Sequence, residues 1–213
     1  MTDKTQRMEY AKARLLERFR QQTPRRAPPG QRLPPGQHLT TGFPILDLGI
    51  HPAFNPQTWR LRVEGLVENP LVLSYAELLA LPKTTVVADF HCVTTWSKYD
   101  VTWGGWAFRA LLERVIPRPE AAFVIQTSGD GYTTNVALAE LLSDDIVLAY
   151  ELEGQPLPLE HGGPLRITVP QLYAWKSAKF LHTLTFCAQD QPGYWEQRGY
   201  HNHGDPWNEE RYG

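Results

Sequence analysis

The side chains with the most reactive chemistry stand in one window, Phe90-His91-Cys92-Val93-Thr94-Thr95-Trp96-Ser97, with Trp103-Gly104 close behind. An apolar run from Val86 to Phe90 leads in and reads as a buried strand, so Cys92 leaves that strand into a loop of polar and aromatic residues. A thiolate is a strong nucleophile and a soft metal ligand. A free cysteine is also, in many proteins, only a small buried apolar residue. A second window, His161-Gly162-Gly163-Pro164-Leu165-Arg166, is a glycine-rich loop running into a strand. Its glycines permit close backbone approach to a ligand, and the planar fork of Arg166 suits phosphate. Trp175-Lys176-Ser177-Ala178-Lys179 adds a hydroxyl, backbone N–H groups and further cations. Together the last two windows describe an anion pocket for a phosphorylated cofactor; taken singly, each also reads as a solvated loop and a surface lysine pair.

Other chemistries lack their residues. There is no Gly-x-Gly-x-x-Gly after a strand, no Walker phosphate loop and no Gly-x-Ser-x-Gly. Cys92 and Cys187 cannot make a disulfide framework, and no second cysteine near Cys92 completes a zinc knuckle. His201-x-His203 is a possible metal pair on a polar tail. A cysteine hydrolase needs a histidine beside Cys92; His91 points to the opposite face of an extended strand, which leaves His161. The formal net charge of -2 over 213 residues offers no basic face for nucleic acid. No apolar run reaches membrane-spanning length, and the start Met1-Thr2-Asp3-Lys4-Thr5 leads into charge rather than a signal sequence. The expectation is a cytoplasmic protein with no integral membrane segment.

Upstream of these windows, Thr5 to Gln22 has helical periodicity, with Met8, Ala11, Leu15 and Phe19 on one face. Thr23 to Gln37 is rich in proline and glycine and reads as a linker or strap. Residues 1–38 are therefore expected to form an arm that is dispensable for chemistry, and residues 39–213 the domain. Strands are predicted at Trp59–Gly65, Ala121–Thr127, Ile146–Leu152, Leu165–Val169 and Leu181–Cys187. Helices are predicted at Trp106–Val115 and after the Ser74-x-x-Glu77 capping box. The tail from Gln189 is aromatic and polar. Short strands and helices without β-α-β spacing give an α+β fold with mixed or antiparallel sheets.

Taken in order, Cys92-Val93-Thr94-Thr95-Trp96-Ser97 with Trp103-Gly104, Gly162-Gly163-Pro164-Leu165-Arg166, and Ser177-Ala178-Lys179 resemble the molybdenum-cofactor domain of the sulfite oxidase family. The likeness runs from about Leu39 to Trp195 and is greatest to the bacterial branch that includes protein-methionine-sulfoxide reductase catalytic subunits. The resemblance implies a mixed-sheet molybdopterin-binding fold, with Cys92 ligating molybdenum and one molybdopterin supplying its other sulfurs. It places Arg166, Ser177, Lys179 and the backbone of Ala178 around the pterin phosphate, and Phe43, His91, Thr127 and His161 as further cofactor contacts. His91 stands where the family has an arginine, and Thr94 where the methionine sulfoxide reductases have a carboxylate; the substrate is therefore not carried over.

The reading is a molybdopterin-dependent oxidoreductase transferring an oxygen atom to or from a small molecule, sulfite or a sulfoxide. His91, Thr94, Lys98, Tyr99 and Tyr132 are the substrate-side candidates. The family's dimerisation and haem domains have no counterpart up to Gly213, so a monomer served by a separate electron-transfer partner is expected. The alternative is a non-catalytic carrier of the pterin or another phosphorylated ligand.

Overall fold

The computed structural model describes residues 3–21 and 30–213. The proline-rich stretch up to residue 29, like the side chain of Phe19, lies outside the described residues. Helix α1 spans Asp3–Gln21, and strand β1 is the pair His38–Leu39. Strands β2 (Arg60–Gly65) and β3 (Leu71–Ser74) lead to helix α2 (Tyr75–Leu79), which starts on the Ser74–Glu77 capping box expected from sequence. Then come β4 (Thr84–His91), β5 (Trp96–Ala107) and helix α3 (Phe108–Val115). Strands β6 (Phe123–Ser128), β7 (Thr133–Ala137), β8 (Val147–Leu152), β9 (Gln155–Pro156), β10 (Arg166–Thr168) and β11 (Leu181–Cys187) complete the order.

Two sheets result, both mixed. In the first, β5 pairs antiparallel with β4 and β8 and parallel with β1, while β8 also pairs with β9 and β10. In the second, the order is β3-β2-β11-β6-β7, with β11 parallel to β2 and antiparallel to β6. The main core lies against the second sheet and α3, where Leu61, Leu111, Leu112, Leu181 and Leu184 are fully buried. A second cluster of Phe90, Cys92, Trp96, Trp103 and Ala149 lies on the first sheet.

One expectation changes. The polar and aromatic stretch after Cys92 is not a loop: only residues 92–95 turn, and the following twelve residues form β5. Trp96, Trp103 and Trp106 are buried along that strand, and aromatic residues fit such half-buried pleated positions well. Gly105 is required there, since a Cβ would come 2.1 Å from the Leu148 carbonyl oxygen. The arm before residue 39 is in contact with the rest of the chain. Ala11 and Leu15 of α1 are buried, and the Arg7 guanidinium pairs at 3.1 Å with Glu68, whose side chain is wholly enclosed. Residues 30–38 lie against β4, β5 and the C-terminal tail through contacts described below.

Candidate active site

β4 and β5 meet in a tight hairpin whose turn is Cys92-Val93-Thr94-Thr95. Cys92 N–H donates to the Trp96 carbonyl at 2.9 Å, and Thr95 N–H donates to the Cys92 carbonyl at 3.1 Å. The Cys92 thiol is buried and faces a cavity of about 360 Å³. Its Sγ lies 3.2 Å from Thr94 Oγ1. Burial pushes its pKa up, against hydrogen bonds from Thr94 and the nearby charges of Arg211 and Lys179. A thiol in this setting becomes a thiolate when a metal takes the proton's place.

Arg166, Ser177, Lys179 and His161 line the same cavity. Arg166 is buried; its Nη1 donates to the His161 carbonyl at 2.8 Å and its Nη2 to the Ser177 carbonyl at 3.1 Å. Burial lowers its pKa to about 9. The guanidinium lies over the rings of Trp103 and Phe90, at 5.0 and 5.2 Å, which favours the cation in a desolvated place. Lys179 Nζ donates to the Glu160 carbonyl at 2.7 Å and lies 3.7 Å from Asp47. Desolvation, then the charge of Arg166, brings its pKa down to about 8. Arg166 and Lys179 repel one another in this desolvated wall, where Asp47 and Asp130 offset only part of the cost, so both gain from an anion. Phe43 completes this end, with its ring 4.6 Å from His161 and 5.2 Å from Phe90.

The residues fit a phosphorylated, sulfur-ligated metal cofactor on their own chemistry. Arg166 Nε and Trp96 Nε1 are buried N–H donors in the cavity wall that have no partner among the described residues. Buried donors are rarely left unpaired. Cys92 supplies the soft donor. Among the described residues no three His, Cys, Asp or Glu side chains converge as a metal site of their own.

Several expected site residues stand elsewhere. His91 faces away from Cys92, as strand alternation requires; it is buried, its Nδ1 is 2.8 Å from Ser97 Oγ, and it packs edge-on to Trp207. Burial lowers its pKa to about 4, so it is neutral. Thr127 on β6 is paired with Thr133 and Thr183 and is not in the cavity wall; Gln126 beside it is the residue buried inward. Ala178 cannot offer its N–H to a phosphate, because that group donates to Gln126 Oε1 at 2.9 Å. Lys98 is bonded to the Thr41 carbonyl and Tyr99 lies beneath Arg32. Gly162 and Gly163 serve packing rather than a ligand: a Cβ on Gly163 would sit 2.4 Å from the Leu157 carbonyl oxygen, and one on Gly162 would sit 2.9 Å from Lys179.

Of the substrate-side candidates, Thr94 and Tyr132 do line the cavity. So do Trp175, Trp195 and Tyr200, which sequence reasoning did not single out. The Tyr200 ring stacks on Trp195 at 4.9 Å and meets Trp175 edge-on at 5.2 Å. Burial raises its pKa, with the neighbouring Tyr212 and Cys92 adding to the effect, so it stays a neutral hydroxyl. The aromatic tail was visible as composition, but its return over the cavity was not.

A buried thiol and two cations in one cavity suit a phosphorylated metal cofactor. The chain belongs to the oxidoreductase molybdopterin binding domain family, whose profile matches residues 48–195. It is a molybdopterin-dependent enzyme of the sulfite oxidase type. It is 42% identical over 188 residues to the uncharacterized oxidoreductase YuiH of Bacillus subtilis, covering 88% of this chain and 92% of that one. It is 29% identical over 160 residues to the protein-methionine-sulfoxide reductase catalytic subunit MsrP of Campylobacter jejuni, covering 67% of this chain and 54% of that one. It is 29% identical over 179 residues to sulfite oxidase of Arabidopsis thaliana, covering 68% of this chain and 46% of that one. The chain thus spans about half the length of these last two relatives. The sulfane dehydrogenase SoxCD of Paracoccus pantotrophus shares the fold, with a TM-score of 0.57 and 24% identity over 65% of this chain and 40% of that one.

Proposed function

We propose that this enzyme reduces an uncharged sulfoxide: the sulfoxide takes up two electrons and two protons, its S–O bond breaks, and a thioether and one water leave. The electrons come from a separate redox protein or small carrier. The observation that carries this reading is how the cavity's charges are committed. Both cationic side chains in its wall, Arg166 and Lys179, belong to the cradle with Ser177 and His161, while Cys92 is accompanied by Val93, Thr94, Trp96 and Tyr200. Arg211, the other cation that acts on Cys92, is bonded through Nη1 to the Val93 carbonyl at 2.6 Å. His91, where the family pattern has an arginine, is neutral and turned away. An oxyanion such as sulfite placed beside Cys92 would be desolvated with its nearest counter-charges already engaged, Arg166 and Lys179 by the cofactor phosphate and Arg211 by the Val93 carbonyl, whereas a neutral sulfoxide finds apolar walls and a hydroxyl.

When bound, the molybdenum cofactor supplies the two-electron redox change and the oxygen-atom exchange. Cys92 gives the metal its protein ligand, and Arg166, Lys179 and Ser177 hold the phosphate by charge-assisted hydrogen bonds, about twice as strong as neutral ones. Tyr200 and Trp175 shape the substrate side and exclude water. The Tyr200 hydroxyl, kept protonated, donates a hydrogen bond to the substrate oxygen. The test compares reduction of dimethyl sulfoxide and an aryl methyl sulfoxide by a reduced viologen with oxidation of sulfite by ferricyanide. A kcat/KM for sulfoxide at least about 100-fold above that for sulfite is expected, each tenfold being about 1.4 kcal/mol. The opposite order overturns the reading.

A further inference from the structure

The segment matched by the family profile, residues 48–195, contains Cys92 but not the groups that hold its turn. That turn is strained: Thr95 has φ 75°, in the left-handed region that a β-branched residue seldom enters. Such a conformation persists where surrounding contacts over-determine it. Three carbonyls of the turn are bonded from outside. Gln37 Nε2 donates to the Cys92 carbonyl at 3.1 Å, and Gln37 Oε1 accepts from Ser97 Oγ at 3.3 Å. Arg211 Nη1 donates to the Val93 carbonyl at 2.6 Å. The His38 N–H donates to the Thr95 carbonyl at 2.9 Å.

The two outer segments are also tied to each other. Arg211 Nη2 donates to the Pro35 carbonyl at 3.3 Å, and Trp207 Nε1 donates to the Gln31 carbonyl at 3.4 Å. Gly36, at φ 66°, leaves room for this, since a Cβ there would lie 3.2 Å from Arg211 Nη2 and 2.8 Å from Glu209 Oε1. Arg32 anchors the strap to the same hairpin, gripping Asp89 in a bidentate pair at 2.7 Å and also bonding Asp100.

We infer that Gln37 and Arg211 are positioning residues for the metal ligand: strap and tail form a clasp that fixes the direction in which Cys92 Sγ enters the cavity. The inference rests on Cys92 being the metal ligand. It makes the arm's last residues and the C-terminal tail part of the redox site, though neither touches the substrate. It also predicts a division of labour. The clasp sets ligand geometry, while the cradle of Arg166 and Lys179 sets cofactor retention.

The test uses the full-length holoprotein with Gln37→Glu, Gln37→Ala, Arg211→Ala and Arg211→Lys, and Arg109→Ala as a surface control. Gln37→Glu keeps the shape and the acceptor but removes the N–H that reaches Cys92, so it is informative even where Arg211→Ala fails to fold. Pterin per protein is expected to stay at the wild-type level. The Mo(V) electron paramagnetic resonance signal is expected to broaden or split into several forms, and kcat to fall about tenfold or more with KM within about twofold, a single misplacement at a reacting centre being enough for such a loss. Arg211→Lys, which keeps charge but not the fork, should recover only part of the wild-type signal. A wild-type signal and kcat in all four variants overturns the clasp. Cys92→Ser distinguishes that from failure of the underlying reading: if its signal too is unchanged, Cys92 is not the ligand.

Discussion

Cys92 and Cys187 carry the same thiol and differ in what surrounds it. Cys187, at the end of β11, is half-buried, and its Sγ lies 3.1 Å from the Gln189 carbonyl. Cys187→Ser is expected to lower stability by no more than about 1–3 kcal/mol, the cost of an imperfectly paired hydroxyl, and to leave turnover alone. Cys92→Ser is expected to abolish turnover with the fold and pterin retained, because the phosphate cradle is built from other residues. Molybdenum, pterin and activity per protein in both variants check this, and full activity in Cys92→Ser ends the thiolate assignment. Tyr200→Phe keeps the stack on Trp195 and removes only the hydroxyl; kcat is expected to fall about 100-fold, the lower end of what a positioned proton donor contributes, with stability unchanged. Unchanged kcat would make Tyr200 a wall and nothing more. At this scale the sequence marked Cys92, Arg166, Ser177 and Lys179, which the fold brings to one cavity, because each sits in a short motif of unusual residue types. Tyr200, Gln37 and Arg211 stand in ordinary polar surroundings, and only the folded chain brings them to the hairpin turn.

Most elements were legible for the reason that burial imposes a period. β2, β6, β8, β10 and β11 alternate or run apolar, and α2 announces itself by Ser74 and Glu77. β5 was not legible, since its buried positions hold Ser97, Gly104 and Gly105 beside tryptophans, and close backbone approach rather than apolar size decided them. The single turn Ala174–Lys176 also hid its main feature. Lys176 is buried and its ammonium pairs with Glu196 of the tail, while Nζ also donates to Asn135 Oδ1 and to the Asn135 carbonyl, each at 3.0 Å. Glu196 Oε1 further accepts from Thr134 Oγ1 at 2.7 Å and from Trp175 Nε1 at 3.0 Å. In sequence Lys176 looked like half of a surface lysine pair. Burial depresses its pKa, opposed by Glu196, so the carboxylate is what keeps the ammonium tolerable there. Glu196→Ala is expected to cost about 3–5 kcal/mol, the cost of stranding one buried charge, as read from urea unfolding. A loss below about 1 kcal/mol would mean that water reaches this pair and that it does not bind the tail to the cradle.

The strap of residues 30–38 and the tail after β11 meet over the hairpin turn, a contact that proline content does not reveal. Composition reports that residues 30–37 cannot form regular structure; it does not report that they are bonded to β4, β5 and the tail. The tail is in turn fastened to the second sheet's side of the protein by His203, whose Nδ1 is 2.7 Å from Glu210 and whose Nε2 is 3.2 Å from Glu140, on the turn after β7. The bonds to Glu140 and Glu210 raise the His203 pKa above its ordinary value, outweighing partial burial. The sign follows from linkage. The folded protein binds this proton more tightly than the unfolded chain, so the stabilisation is fully present below the unfolded histidine pKa of about 6.5 and is lost as pH rises through the raised folded value. Other groups titrate over the same range, so the comparison is between wild type and His203→Gln at each pH. The difference in their thermal midpoints is expected to be largest near pH 6 and to shrink steadily toward pH 9. Amide exchange in residues 199–211 is expected to quicken over the same interval in wild type more than in the variant. A difference that stays constant or grows with pH would show that His203 holds the tail as a neutral ring, by packing and hydrogen bonding alone.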